Sequence, residues 1–280
     1  PVEAYKFATL NAAREYGFDD LGAVAPGYLA DMQLLDRLDG GKPRAVFIKG
    51  KLVAQDGEYL GEDDSSPLPA FPNTVNIPDI TSPEDFRLQA PAECGDWVEV
   101  NVVVPTNNIL NRAEWMRLPV RDGFVSLEGR DDLQFIALCN RYGTGEKTIA
   151  VMKDFGLRAG AFASTISHDS HNFTVIYRTP QDAYAALEAL RACGGGICIA
   201  RDGKVEHTLP LPVAGLMSTL PCEELSREID AMEEAVHAAA TEQTSLLQAC
   251  VYALPCLPGV VVTDLGIVDG LAQRILPEFR

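Results

Sequence analysis

Between residues 98 and 208 the chain carries five short, largely apolar runs, at 98–104, 133–139, 160–166, 173–177 and 197–200, and a more polar strand-like segment at 204–208. Runs of that length, rich in Val, Ile and Phe and bounded by turn-forming residues, predict strands. One helix pattern interrupts them at 179–193. Thr179 supplies a cap, Pro180 takes the first helical position, Ala183, Leu187 and Leu190 share a face, and Gly194-Gly195-Gly196 ends it. A second, acidic helix is expected over 221–243, with Leu225, Ile229, Met232 and Val236 at helical spacing. The combination predicts an α+β domain with an antiparallel or mixed sheet and helices on one side.

The first sixty residues have a different pattern. Apolar residues at Val2, Tyr5, Phe7, Ala8, Ala12 and Ala13 predict a helix over 2–16, ended by Gly17. Pro26-Gly27 predicts a tight turn, and short strands are expected at 32–35, 45–48 and 52–54. Two or three such strands cannot bury an apolar face unaided, and a lone amphipathic helix needs something to pack on. The chain starts at Pro1 rather than Met, so a cut through a larger protein is expected, with upstream chain packing on this helix. Residues 61–91 are rich in Pro, Asp, Ser and Asn, including Pro67, Pro69, Pro72, Pro78 and Pro83. That composition predicts an extended connector. The expected domains are 1–60, a connector at 61–94, and 95–280.

Lys plus Arg number 23 and Asp plus Glu 40, a net charge of −17. Such a surface repels phosphate backbones and anionic headgroups, so neither nucleic acid nor membrane is an expected partner. No apolar run approaches the ~18–20 residues of a membrane span, because 253–262 is interrupted by Pro255 and Pro258. No basic-then-apolar leader opens the chain. The seven cysteines form no CxxC pair, and Cys139 and Cys198 lie in apolar runs. Reduced, buried thiols in a cytoplasmic protein are the expectation.

Two sets of motifs carry a family resemblance. The first is Asn11, then Leu21-Gly22, Ala25-Pro26-Gly27 and Ala30-Asp31, followed by an apolar strand ending in Gly50-Lys51. This order resembles the C-terminal end of the amidohydrolase superfamily, where the last helix of a metal-dependent barrel leads into a small β-sandwich. The second runs from Phe155 through Ser164 into Thr165-Ile166-Ser167-His168-Asp169-Ser170-His171-Asn172. It continues with Gly194-Gly195-Gly196, then residues 209–218, then Thr263-Asp264-Leu265-Gly266-Ile267-Val268-Asp269. Spread over about 180 residues in order, these resemble the C-terminal domain specific to adenine deaminases. One position departs from the pattern: relatives often carry a histidine after the arginine of Arg141-Tyr142-Gly143, and here Tyr142 stands there.

The resemblance implies hydrolytic deamination of adenine to hypoxanthine and ammonia, in purine salvage or catabolism. It also implies manganese or iron, held by histidines and carboxylates of a barrel upstream of this segment. Nothing in the present chain matches those ligands, and it has only four histidines. The chain alone is therefore expected to be inactive and to hold no metal, with the missing barrel portion and adenine as its partners and a homodimer as its assembly.

His168, Asp169, Ser170, His171 and Asn172 form a polar cluster between two strand-like runs. A loop at a strand end can present imidazoles, a carboxylate, a hydroxyl and an amide to the ring nitrogens and exocyclic amine of a purine. Two other readings stand beside this one: a polar turn satisfied by its own backbone, and metal ligation by His168 and His171. Arg141 and Tyr142 are further candidates, Tyr142 by hydrogen bonding in place of the histidine of relatives. His207, His237, Glu223-Glu224, Glu233-Glu234 and Asp63-Asp64 read as structural or solvated residues. Two other functions fit the same sequence: a non-catalytic binding or assembly module, such as a split subunit, and an amidohydrolase acting on another purine-like substrate.

Overall fold

The computed structural model describes residues 1–61, 68–107, 109–241 and 244–280. Asp63-Asp64, Pro67 and Gln243 lie outside the described residues. The chain divides into two compact units, Pro1–Pro67 and Leu68–Arg280.

In the first unit the predicted terminal helix forms as three contiguous pieces: α1 (Val2–Lys6), a π-turn at Phe7–Asn11, and α2 (Ala12–Glu15). Four strands follow in an antiparallel sheet in chain order: β1 (Met32–Leu34), β2 (Ala45–Ile48), β3 (Lys51–Gln55) and β4 (Glu58–Tyr59). The first set of sequence motifs holds this unit together. Tyr28 N–H donates to Ala25 O across Pro26-Gly27, closing the predicted turn. The Asp31 carboxylate accepts from Lys49 N–H at 2.7 Å, and Ala30 O accepts from Gly50 N–H. Ala30-Asp31 thus meets the Gly50-Lys51 turn. Ala13 and Ala45 are the only buried apolar residues among those described in this unit, while Val2, Phe7, Tyr16, Phe18 and Val24 are exposed. This is the outcome expected of a sheet too small to bury its own face.

The second unit is built on a nine-stranded sheet. Its strands are β5 (Trp97–Pro105), β6 (Asn111–Arg121), β7 (Phe124–Val125), β8 (Leu133–Cys139), β9 (Lys147–Lys153), β10 (Ala161–Ser164), β11 (Phe173–Tyr177), β12 (Gly196–Arg201) and β13 (Lys204–Pro210). Their spatial order is β13-β12-β10-β11-β8-β9-β5-β6-β7. Every neighbouring pair is antiparallel except β5 with β9, so the sheet is mixed, as predicted. Side chains alternate between its faces with the period of two that a pleated strand imposes. On β8, Leu133, Phe135, Ala137 and Cys139 enter one core and Ile136 and Leu138 the other.

Both faces are covered, which corrects the expectation of helices on one side. α3 (Pro180–Cys193) packs Ala183, Ala186, Leu187 and Leu190 on the first face. α4 (Cys222–Ala239) packs Met232 and Val236 on the second, with the short helix α5 (Gln248–Val251) and a three-stranded sheet of β14 (Val260–Thr263), β15 (Gly266–Asp269) and β16 (Arg274–Leu276). The strands between the edges are apolar on both sides, so one layer of helices would leave a hydrophobic face in water. The caps of α3 are those predicted: Thr179 Oγ1 accepts from Asp182 N–H, and Gly194 closes the helix in the left-handed conformation. His237 is exposed on α4, and His207 Nε2 lies buried 3.5 Å from the Glu228 carboxylate without a hydrogen bond.

A second correction concerns the Pro-rich stretch. From Leu68 onward it belongs to the second unit and is packed down, not a free connector. Val75, Ile77, Ile80, Phe86 and Leu88 are all buried in the first core. Arg191 of α3 donates to Ile77 O and Ile80 O, Tyr184 OH to Thr81 O, and Tyr177 OH to Phe86 O. Proline keeps the segment out of the ladder, but its apolar side chains still require burial, and composition alone hides that.

The thiols give a direct test of this core. Burial pushes Cys139 up to about 12, and Cys198 and Cys250 up to about 11. All seven cysteines are free; Cys222 and Cys256 are exposed, Cys94 and Cys193 half-buried. Because the thiolate is the reactive form, an aromatic disulfide reagent at pH 8 is expected to titrate Cys222 and Cys256 fast. Cys139, Cys198 and Cys250 should react only in denaturant. Prompt reaction of all seven would contradict the packing.

Candidate functional site

The polar cluster is a hairpin loop joining β10 to β11. Ser164 ends one strand, Phe173 starts the next, and residues 165–172 span the gap. Its base is sealed inside the sheet. Ser167 Oγ and Thr174 Oγ1 share a hydrogen bond of 2.8 Å, both residues being buried. Thr165 Oγ1 donates to Gly215 O at 2.6 Å and accepts from Gly196 N–H at 2.8 Å. This inward hydroxyl is why the strand ends at Ser164, short of the predicted Ile166. Cys250 Sγ caps Ile166 O at 2.6 Å.

Beyond the base, His168, Asp169 and Ser170 are exposed, His171 is half-buried and Asn172 is buried. The His168–Asp169 peptide is cis. The two imidazoles stand edge to face with centroids 5.5 Å apart. His171 Nδ1 and Asn172 Oδ1 are buried with no hydrogen-bond partner among the described residues. Burial, reinforced by His168 and Arg141, holds His171 below the usual imidazole range, with Asp169 opposing. The shift favours the neutral ring, which carries one acceptor nitrogen.

Arg141 and Tyr142 follow the end of β8 and reach the same loop. Arg141 Nε donates to His171 O, and Tyr142 OH donates to Ser170 O at 2.7 Å. The Arg141 guanidinium also reaches Thr74 Oγ1 and Ala214 O. Asn140 Nδ2 donates to the Asp264 carboxylate at 3.0 Å, and Asn140 Oδ1 accepts from Tyr142 N–H. The motifs scattered along the sequence, namely 165–172, 141–143, 194–196, 209–218 and 263–269, are thus tied together at one end of the sheet. Of the residues singled out from sequence, His168, Asp169, Ser170, His171, Asn172, Arg141 and Tyr142 all fall in this cluster. Sequence reasoning missed Thr165, Asn140 and Asp264, although each sits inside or beside a quoted motif. Thr74 and Ala214 contribute through a hydroxyl and a main-chain carbonyl, for which the sequence holds no signal.

Among the described residues no group of three or more His, Cys, Asp or Glu is placed to hold an ion, whereas a protein metal site draws on a defined set of three or four ligands. No helix among them is long and apolar enough to cross a membrane.

A terminal helix leading into a small antiparallel sheet is the segment for which comparison finds an amidohydrolase match: residues 1–53 fit the amidohydrolase family. Residues 108–274, which include the hairpin loop, Arg141, Tyr142 and Asp264, match the adenine deaminase C-terminal domain, and the chain belongs to that family. Among curated relatives, an adenine deaminase of Desulforamulus reducens is 36% identical over 99% of this chain and 47% of its own length. Adenine deaminase 2 of Carboxydothermus hydrogenoformans is 34% identical over 97% of this chain and 47% of its own. An adenine deaminase of Methanothrix thermoacetophila is 36% identical over 96% and 46%. The chain spans about half the length of the curated relatives it matches.

Proposed function

We propose that this chain is the C-terminal part of an adenine deaminase that hydrolyses adenine to hypoxanthine and ammonia in purine salvage or catabolism. In this reading the loop at residues 167–172 forms one wall of the adenine pocket. The observation that carries the reading is the pairing of two family matches in one chain, an amidohydrolase end at 1–53 and the adenine deaminase domain at 108–274. The exposed apolar side chains of the first unit, Phe7 at 64% and Tyr16 at 78% among them, support a missing barrel portion as the partner that covers them.

His168, Asp169 and Ser170 supply exposed donors and acceptors suited to a purine's ring nitrogens and exocyclic amine. His171 and Asn172 offer further polar atoms, Nδ1 and Oδ1, that have no hydrogen-bond partner among the described residues. Manganese or iron, bound by ligands outside this chain, would supply hydroxide from water. No group of described residues in this chain is placed to form such a site. The protein is proposed to be cytoplasmic and to form a homodimer.

The test is turnover of adenine, with manganese, by the chain alone and by the chain joined to its upstream coding sequence. The joined protein is expected to release hypoxanthine and ammonia, and the chain alone to give none. Turnover at enzyme-like rates by the chain alone would refute the division of labour. A preference of the joined protein for another purine would move the substrate, and no activity at all would favour a binding module.

A further inference from the structure

Two consecutive residues spend their side-chain donors on the main chain of the loop. The Arg141 guanidinium donates to His171 O and the Tyr142 hydroxyl to Ser170 O, so neighbouring side chains hold neighbouring carbonyls. The remaining guanidinium nitrogens are also committed. Nη1 reaches the Thr74 hydroxyl and carbonyl, and Nη2 reaches Ala214 O at 2.8 Å. Arg141 thereby joins three segments distant in sequence: the packed Pro-rich stretch, the hairpin loop and the segment after β13.

This guanidinium is only 2% exposed. It makes no ion pair among the described residues, and every acceptor it uses is a carbonyl or a hydroxyl. Burying a charge without a carboxylate is costly, and hydrogen bonds at every nitrogen are what make it tolerable. A planar fork of fixed geometry suits that role better than a flexible ammonium. The guanidinium also lies over the Tyr142 ring, 5.1 Å from its centroid, which restrains the tyrosine toward Ser170. Between the two held carbonyls His171 adopts φ +50°, a left-handed conformation that non-glycine residues adopt rarely and that surrounding contacts must hold.

The consequence lies in the side chains at the loop's tip. His168, Asp169 and Ser170 are exposed, and their side chains make no hydrogen bond among the described residues. A loop held by its own side chains would have none to spare for a ligand. At its base this one uses the side chains of Thr165 and Ser167, but at Ser170 and His171 it is held through its backbone.

We propose that Arg141 and Tyr142 are positioning residues. By clamping the carbonyls of Ser170 and His171 they set the direction in which His168, Asp169 and Ser170 face a flat, nitrogen-rich ring bearing an exocyclic amine, which they do not touch themselves. This rests on the reading of the loop as a pocket wall.

The test uses Tyr142→Phe, which removes one hydroxyl and keeps the ring, and Arg141→Lys, which keeps the charge and loses the fork. In the full chain, Tyr142→Phe is expected to make amides of residues 168–172 exchange roughly five- to ten-fold faster, the equivalent of one lost hydrogen bond, with β8 and β11 unchanged. Arg141→Lys should raise loop exchange further. With the upstream portion joined, Tyr142→Phe should lower kcat for adenine while KM moves less, the signature of a misplaced group rather than lost binding. Unchanged loop exchange in Tyr142→Phe overturns the clamp, even if Arg141→Lys fails to fold. Faster exchange with unchanged turnover leaves the clamp standing and overturns the pocket reading beneath it.

Discussion

Gly196→Ala is expected to destabilise the chain by roughly 2–5 kcal/mol, combining overpacking with an unfavourable backbone conformation. Gly196 opens β12 at φ +148°, and a Cβ there would lie 2.1 Å from Leu209 O and 3.1 Å from the Leu209 carbonyl carbon. Those atoms belong to the backbone of the paired strand β13, so no side chain can swing away. Relief would require β12 to move off β13. It would also disturb the bonds that Gly196 makes with Thr165 through both its N–H and its carbonyl. The loss therefore reaches the base of the candidate loop. Gly203→Ala is the control. Gly203 also has a positive φ, but nothing lies within 4 Å of a Cβ built there, so only the conformational cost of about 1 kcal/mol remains. Urea midpoints of the two variants test this. Equal losses would mean that the approach of β13 to Gly196 is not rigid.

Leu187→Ala is the second large effect, at about 2–5 kcal/mol. Leu187 is fully buried on α3, in the core that also holds Tyr177, Phe86 and Val175. Its neighbours on the helix face are Ala183 and Leu190; Ala183 is too small to fill the space a truncated leucine leaves, and Leu190 is already packed in the core. On α4, Ile229 is only partly buried at the edge of the opposite core, so Ile229→Ala should cost clearly less. Calorimetric unfolding of both variants gives the comparison. If Leu187→Ala costs under ~1 kcal/mol, the close packing of α3 on the sheet is wrong.

The strands that were legible are those whose neighbours in sequence define them. β8 and β11 fall at the predicted residues, because each is a compact apolar run between polar turns. β6 was missed: it carries Arg112, Glu114, Arg117 and Pro119 near the edge of the sheet, where only some positions are buried. β9 was missed because Thr148–Met152 is a short continuous run between two lysines. Periodicity cannot distinguish such a run from a piece of buried helix. The parallel pairing of β5 with β9 has no local signature. The Pro-rich stretch was misjudged for the opposite reason: its turn residues are conspicuous, and the alternating Val75 and Ile77 among them are not.

The residues of the candidate loop were legible because five polar residues in a row between two strands have few local uses. Their geometry was not. Arg141, Thr74, Ala214 and the loop meet only after nine strands have paired, since hydrogen bonds between residues 67 and 73 positions apart depend on register and not on neighbours. The sequence by itself determined β5, β8, β11 and α3 with its caps, together with the family motifs, all of which rest on local propensity and order along the chain. Tertiary structure alone decided that both sheet faces are covered, that the Pro-rich stretch is core, and that Arg141 and Tyr142 grip backbone. Burial and donor–acceptor pairing are properties of distance in space, which one-dimensional spacing does not encode.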